Sequence, residues 1–429
     1  MTPMGKFLGY RCSLCGTEYG PDDVTYTCPK DGGNLDVVLD YVALRTRYQP
    51  ADILSRTDFS LWRYLPLLPV PEYPGGATPL HSVGWTPVYS LRRLGESLGL
   101  NHVWLKDESG NPTASFKDRA SAVLLARANE VKAEVVVTAS TGNAGAALAG
   151  MAAAVGRKAV VLAPKTAPPA KVAQLLIFGA TVILVDGSYD DAFDLTVKAA
   201  DEFGWYCRNT GYNPFTAEGK KTAALEIWEW WKTAHEQLHT RIGEGVDHPP
   251  LTVFIPVGDG NIISGMHKGF KDLMELGWLP RVPRLIGVQA RGSAAIANAF
   301  QANTEEIKPV SSRTIADSIS VDLPRDGVRA VRAARETGGT YITVSDEEIL
   351  KAVSTLGQLG IFAEPAGATA YAGVGRAMAE GIVDADEPVL VLNTGSGLKD
   401  VKTAMRAVGK APIIEPTLKA LRRALRADA

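Results

Sequence analysis

From about residue 85 onward, short apolar runs alternate with longer helical stretches, and this alternation restricts the possible folds more than any other feature of the chain. The pattern predicts strands over 103–106, 135–138, 159–163, 181–185, 252–256, 284–288 and 389–392. Between them it predicts helices over 117–131, 143–155, 169–178, 190–202 and 216–237. Strands that alternate with helices pack as parallel sheets covered on both faces, so the expected class is α/β. A chain of 429 residues, 46% of them hydrophobic, exceeds one simple core and points to two domains or more.

The first 80 residues read differently, as an N-terminal extension. Cys12-x-x-Cys15-Gly16 has the spacing of a zinc knuckle, and Cys28-x-x-Asp31 stands where a second pair would fall. Cys12, Cys15, Cys28 and Asp31 are therefore candidate ligands of a structural zinc, with an aspartate in place of the fourth sulfur. The competing reading is a small two-stranded flap without metal. A short helix is expected over 48–56, and the proline-rich stretch 66–75 should wrap the surface without regular structure.

Bulk properties exclude several classes. The 45 basic and 47 acidic residues nearly cancel, which argues against a nucleic-acid partner. No apolar run approaches the length of a membrane span. Residues 1–10 contain no apolar signal core, so the expectation is a cytoplasmic protein. Four cysteines are too few for a disulfide scaffold in a chain of this length.

Four loops carry the chemistry. Asn111-Pro-Thr-Ala-Ser-Phe-Lys117-Asp-Arg119 follows one predicted strand and opens a helix, which fixes Lys117 at a helix start. Ser140-Thr141-Gly142-Asn143 joins a strand to a helix, and its converging amides and hydroxyls suit a carboxylate or phosphate. Gly258-Asp259-Gly260-Asn261-Ile262 follows another strand and is a candidate phosphate cradle, provided that the Asp259 carboxylate turns away from the anion. Thr394 leads the Gly-rich turn after the last strand. A fifth loop places Glu364 before an alanine-rich stretch, where a helix-capping carboxylate is the plainer reading.

Together these loops resemble the pyridoxal-phosphate enzymes of the tryptophan synthase beta-subunit fold (fold type II), and among them the threonine synthase family. The likeness spans roughly residues 75–402, and the Asn111–Arg119 motif is its most specific part. It implies two open, mostly parallel sheet domains covered by helices, with a zinc-ribbon-like extension over 1–80. The catalytic core would cover 81–429, with a smaller subdomain of about 120–215 inserted in the larger. It implies that Lys117 holds the cofactor as a Schiff base and then transfers the substrate's alpha proton. Asn143 would bond the cofactor's ring hydroxyl, Gly258 to Ile262 would hold its phosphate, and Thr394 would face its ring nitrogen. A hydroxyl there leaves that nitrogen largely unprotonated, which favours elimination and replacement. Ser140, Thr141 and Gly142 would take the substrate carboxylate, with Asn213 also against the substrate. The resemblance further implies a homodimer, a small amino-acid substrate and a lyase of amino-acid biosynthesis.

The chain departs from the family where phosphohomoserine would bind. The family segment usually reads close to NSINPYRLEGQKT, whereas residues 210–222 read TGYNPFTAEGKKT. Gly211 replaces the serine and Thr216 the arginine. Ala144 and Ser396 replace a threonine and a histidine elsewhere. Lys220 could compensate only from a rotated helix start. Three readings stay open: a threonine synthase with a rearranged pocket; a dehydratase or beta-replacement enzyme on serine, threonine or an O-activated serine; and a non-catalytic cofactor-binding protein.

Overall fold

The computed structural model describes residues 6–140, 142–242 and 250–427. The chain opens with three antiparallel strands, β1 (Phe7–Cys12), β2 (Glu18–Tyr19) and β3 (Leu35–Leu39), ordered β2-β1-β3. The expected two-stranded flap is thus a three-stranded sheet. Residues 35–39 alternate buried and half-buried positions and pair along the length of β1. The short helix expected over 48–56 forms at Pro50–Leu54. The proline-rich stretch begins within a tight helical turn, Leu61–Leu67, that buries Trp62 and Tyr64.

β4 (Val88–Ser90) and β5 (Val103–Asp107) then start a second sheet. The chain leaves it through α1 (Lys117–Glu130) and builds a third sheet. This consists of β6 (Val135–Ala139), α2 (Asn143–Ala154), β7 (Lys158–Pro164), α3 (Pro169–Ile177), β8 (Thr181–Val185), α4 (Tyr189–Phe203) and the two-residue β9 (Tyr206–Cys207). Its four strands are parallel and ordered β8-β7-β6-β9. The 28-residue helix α5 (Phe215–Ile242) returns the chain to the second sheet. There β10 (Thr252–Pro256), α6 (Asn261–Glu275), β11 (Arg284–Ala290), α7 (Gly327–Glu336), β12 (Thr340–Val344), α8 (Asp346–Gly357), α9 (Pro365–Ala379) and β13 (Val389–Asn393) complete it. The order is β12-β11-β10-β13-β5-β4, parallel except for the edge strand β4.

The sequence pattern explains the layering. β10 and β13 are buried at every position, as strands covered on both faces must be. α2 is almost all alanine and glycine, and nine of its twelve residues are buried. α1 and α5 meet at Gly219, where any Cβ would stand 2.2 Å from the Arg119 carbonyl oxygen. No helix among the described residues is long and apolar enough to cross a membrane.

Parallel strands send their following loops to one edge, and ligands of open α/β sheets bind outside those carboxyl ends. Lys117, the 140–143 turn, Gly258–Ile262 and Thr394 all follow such ends: of β5, β6, β10 and β13 respectively.

Candidate active site

The Lys117 loop is tied to the last strand before α1 begins. The Phe116 N–H donates to the Thr394 carbonyl at 2.9 Å, and the Ser396 N–H to the Ala114 carbonyl at 3.1 Å. On the other side of the same turn, the Glu364 N–H donates to the Gly395 carbonyl at 2.9 Å. A Cβ on Gly395 would lie 2.5 Å from the Glu364 carboxylate, so glycine alone allows the three segments to meet. Asp118 does not face solvent. Its carboxylate accepts from the Thr113 N–H at 2.6 Å and from the Thr113 hydroxyl, which braces the turn leading into α1. Burial pushes the Asp118 carboxyl up to about 6.

Arg119 holds the same turn from behind. It donates to Glu108 at 2.7 Å and to Glu226 at 2.5 Å, and Lys106 meets Glu226 at 2.7 Å. All four side chains are at most 3% exposed. Asn111 joins the group by donating to the Glu108 carboxylate at 2.8 Å. The motif around Lys117 is therefore mostly scaffold: Asn111, Thr113, Asp118 and Arg119 fix the position of a single amine.

That amine has no carboxylate within ion-pair distance among the described residues. Burial lowers its pKa from the ordinary lysine value, and the nearby Glu364 charge partly opposes the shift. Lys117 lines a cavity with Thr210, Lys220, Ser318 and the loop Gly258, Asp259, Gly260, Asn261 and Ile262. Gly260 has φ +89°, and a Cβ there would stand 2.7 Å from the Asp326 carbonyl oxygen. The conformation places the loop's amides at the start of α6, an arrangement suited to phosphate. The Asp259 carboxylate accepts from the Arg325 N–H at 3.3 Å, so it turns toward the 325 loop. Burial raises its pKa.

Other expected residues have additional partners. The Asn143 amide donates to both Glu364 carboxylate oxygens at 2.9 Å. Glu364 precedes α9 but makes no side-chain cap, so the capping reading is corrected: its buried carboxylate is spent on Asn143. Burial raises the Glu364 pKa. The Asn261 side chain is occupied, accepting from Thr216 at 3.2 Å and from Lys220 while donating to Asp326 at 2.6 Å. Lys220 reaches the loop without any rotation of the helix, because Thr216 and Lys220 lie four apart on one face of α5. Asn213, expected against the substrate, bonds the Cys207 carbonyl at 2.8 Å and the Phe215 N–H at 2.9 Å. Both polar ends of its amide thus shape the turn into α5. The Ser140 hydroxyl accepts from the Gly142 N–H at 3.1 Å, and Gly142 has open space where a side chain would be. Thr141 lies outside the described residues. Thr394 is buried, with its carbonyl committed to Phe116.

A bound cofactor fits these residues on three counts: a half-buried lysine with no carboxylate within ion-pair distance, a glycine cradle at a helix start, and buried polar atoms without partners. The Ser115 hydroxyl and Arg208 Nη2 are such atoms. Sequence reasoning passed over Arg208, which lacks a motif signal. A single arginine after a strand announces nothing until its burial is seen.

In the extension, the ligand atoms of Cys12, Cys15, Cys28 and Asp31 all lie within 4.8 Å of one another. The Cys15 and Cys28 sulfurs are 3.8 Å apart, and Cys12 Sγ is 3.3 Å from Asp31. The extension also reaches the loops beside the candidate site. Asn34 Nδ2 donates to the carbonyls of Gly211 and Arg325, and Asp36 pairs with Arg329 at 2.7 Å. Arg329 in turn holds Asp326, the partner of Asn261.

Fold and site define a class that the comparisons match. The family described as "Pyridoxal-phosphate dependent enzyme" covers residues 80–395, and the chain belongs to it. Within that class it is a member of the threonine synthase family, a PLP-dependent lyase of the threonine synthase-like kind. It is 38% identical to a threonine synthase of Methanocaldococcus jannaschii over 97% of this chain and 99% of that one. It is 36% identical to one of Methanosarcina acetivorans, over 97% and 98%. Among solved structures, diaminopropionate ammonia lyase from Escherichia coli matches with a TM-score of 0.63 at 21% identity, over 84% of this chain and 93% of that one. Maize serine racemase matches with a TM-score of 0.58 at 22% identity, over 80% and 92%.

Proposed function

We propose that the chain forms L-threonine from O-phospho-L-homoserine, with Lys117 as the residue that both carries the cofactor and moves the substrate's protons. The observation that carries this reading is the Lys117 amine itself, held at the start of α1 beside the Gly258–Ile262 cradle without a carboxylate partner. When bound, the cofactor supplies an electron sink for negative charge developing on the substrate's carbon skeleton. Gly258, Gly260 and the N-terminal amides of α6 would hold its phosphate, and Thr394 would face its ring nitrogen. Asn143, oriented by Glu364, would bond the ring hydroxyl. Ser140 and Gly142 would orient the substrate carboxylate at the start of α2, and the resemblance implies the same role for Thr141. Burial lowers the pKa of Lys117, which favours the unprotonated form that accepts a proton.

Presenting phosphohomoserine, serine and threonine separately to the holoenzyme tests this reading. The expected result is phosphate release with threonine formation from phosphohomoserine alone. A keto acid from serine or threonine, without turnover of phosphohomoserine, would establish the dehydratase reading instead. Thr216 favours that second reading, since its hydroxyl is spent on Asn213 and Asn261. Borohydride reduction should fix the cofactor to residue 117, and Lys117→Ala should remove that adduct. An adduct retained in the variant would overturn the assignment.

We further propose a structural zinc on Cys12, Cys15, Cys28 and Asp31. Tetrahedral zinc with bonds of ~2.3 Å places its sulfurs ~3.8 Å apart, which agrees with the Cys15–Cys28 spacing. The Leu14 N–H donates to Cys12 Sγ at 3.3 Å and the Gly33 N–H to Asp31 at 2.9 Å, orienting both ligands. One zinc per chain by elemental analysis, lost in Cys15→Ser, is the expected outcome. Four free thiols suit a reducing compartment, which supports a cytoplasmic protein. A homodimer is supported by exposed Leu418, Leu421 and Leu425 along the last helix, and light scattering should give twice the chain mass.

A further inference from the structure

A second cavity, of about 480 Å³, opens between the extension and the core, and none of its lining residues belongs to the cavity beside Lys117. Three elements wall it. The extension brings Ser13 and Asp36. α6 brings His267, Lys268, Lys271 and Glu275, spaced to share one helical face, and α7 brings Arg329, Arg332 and Glu336 with the same kind of spacing. His267 stands ~9 Å along α6 from Asn261, at ~1.5 Å rise per residue, so the cavity lies behind the glycine cradle and apart from it.

Much of the charge on these walls is already matched. Arg329 pairs with Asp36 at 2.7 Å and with Asp326 at 2.6 Å, Arg332 with Glu305 at 2.6 Å, and Lys268 with Asp272. Arg11, at the rim, pairs with Glu18 at 2.6 Å. A mixed set is left over. The Ser13 hydroxyl is buried without a hydrogen-bond partner. His267 is 6% exposed, and its Nε2 stays 3.5 Å from Glu336. Burial and the Lys271 charge bring its imidazole down to about 3, so the ring is neutral and offers one donor and one acceptor. Lys271 and Glu336 face each other across the mouth at 3.6 Å, beyond hydrogen-bond reach, and are 42% and 46% exposed. Glu275 has no ion-pair partner among the described residues. A simple anion entering here would meet Glu275 and Glu336, and a simple amine would meet Lys271. A zwitterion matches both signs, and the neutral hydroxyl and imidazole match a polar, uncharged side chain.

We propose that this cavity is an effector site for a free α-amino acid with a polar, uncharged side chain. Its carboxylate meets Lys271, its ammonium meets Glu336 and Glu275, and its side chain points toward Ser13 and His267. The wall connects the site to the cofactor loop. Asp36 holds Arg329, Arg329 holds Asp326, and Asp326 accepts from the Asn261 amide at 2.6 Å. An occupant that draws the extension against α6 and α7 braces that loop. Cofactor and effector then strengthen each other's binding, because coupling between two sites is reciprocal. The inference does not depend on which reaction the active site performs.

The test uses holoenzyme reduced with borohydride, whose cofactor is fixed to Lys117 and exchanges with no added amine. L-asparagine, L-glutamine, L-serine and L-threonine are titrated into it by calorimetry. The expected result is saturable binding of at least one, lost in its methyl ester and in its N-acetyl form. Lys271→Met and Glu336→Gln, both at the half-exposed mouth, should each weaken that binding by roughly tenfold or more. Apoenzyme should bind pyridoxine phosphate, an alcohol that forms no imine, about fivefold more tightly when the amino acid is present. Asp36→Asn should remove that gain while the amino acid still binds. The proposal is overturned if none of the four binds, if both variants bind as wild type does, or if the ester and N-acetyl forms bind equally well. An unchanged affinity for pyridoxine phosphate overturns the coupling to the loop.

Discussion

Asn143 and Glu364 show how a residue's role depends on what lies across the site. Asn143 stood out because it opens a helix after a strand-to-helix turn, and the resemblance implies a cofactor contact for it. Its bond to Glu364 was not legible, since the partners are 221 positions apart. Asn143→Ala leaves the buried carboxylate with only the distant Ser318 hydroxyl, at 3.5 Å. The apoenzyme should lose roughly 1–3 kcal/mol in denaturant unfolding, and an unchanged midpoint would contradict the pairing. Cysteines divide just as clearly. Burial pushes the Cys207 thiol up to about 12, whereas Cys15 is exposed. Iodoacetamide at mildly alkaline pH should therefore label metal-free protein at Cys15 and spare Cys207 until the chain unfolds, as read by peptide mass mapping.

The alternating core elements were readable from pattern alone, mostly to within one or two residues, because parallel strands buried on both faces leave unbroken apolar runs. Residues 181–185 and 252–256 form strands with the expected bounds. β9 was missed because two residues carry no period, and β12 because its threonines and tyrosine dilute the apolar run. The cluster that clamps α1 to α5 was equally hidden, since charged residues read as surface. Burial alone would raise the Glu226 carboxyl, but Arg119 and Lys106 overcome it and hold it at about 2. Its folded pKa lies below the unfolded value of ~4.3, so its stabilisation is present above ~pH 4.3 and is lost as pH falls toward 2. Glu226→Gln should destabilise the protein by ~3–5 kcal/mol at neutral pH and flatten the acid limb of its stability curve. Thermal melts of apoenzyme between pH 2 and 7 would show a parallel curve if the cluster were inert.

At the scale of the molecule, the extension is part of the core. Phe7, Tyr10, Leu35 and Val37 belong to the same apolar cluster as Leu125 and Phe215. Sequence separated 1–80 as an appendage because its cysteine spacing breaks the strand–helix rhythm, and rhythm says nothing about docking. Deleting residues 1–40 should expose that cluster and give insoluble or markedly less stable protein, checked by yield and melting temperature. Asn34→Ala is milder: it frees the Gly211 and Arg325 carbonyls and should raise KM by severalfold with little change in melting. The same contacts set an order of events in time. Asn34 and Asp36 meet their partners across 291 and 293 positions, so these bonds close only after residues 325–329 have emerged and the intervening chain has collapsed. The six-stranded sheet closes over a comparable distance, since Val103 of β5 pairs with Val389 of β13, so sheet and brace both form late, and the Gly258–Ile262 loop remains unbraced until they do. In refolding, helical signal should return ahead of cofactor binding, and a newborn chain should stay catalytically silent until its first forty residues find residues 325–329.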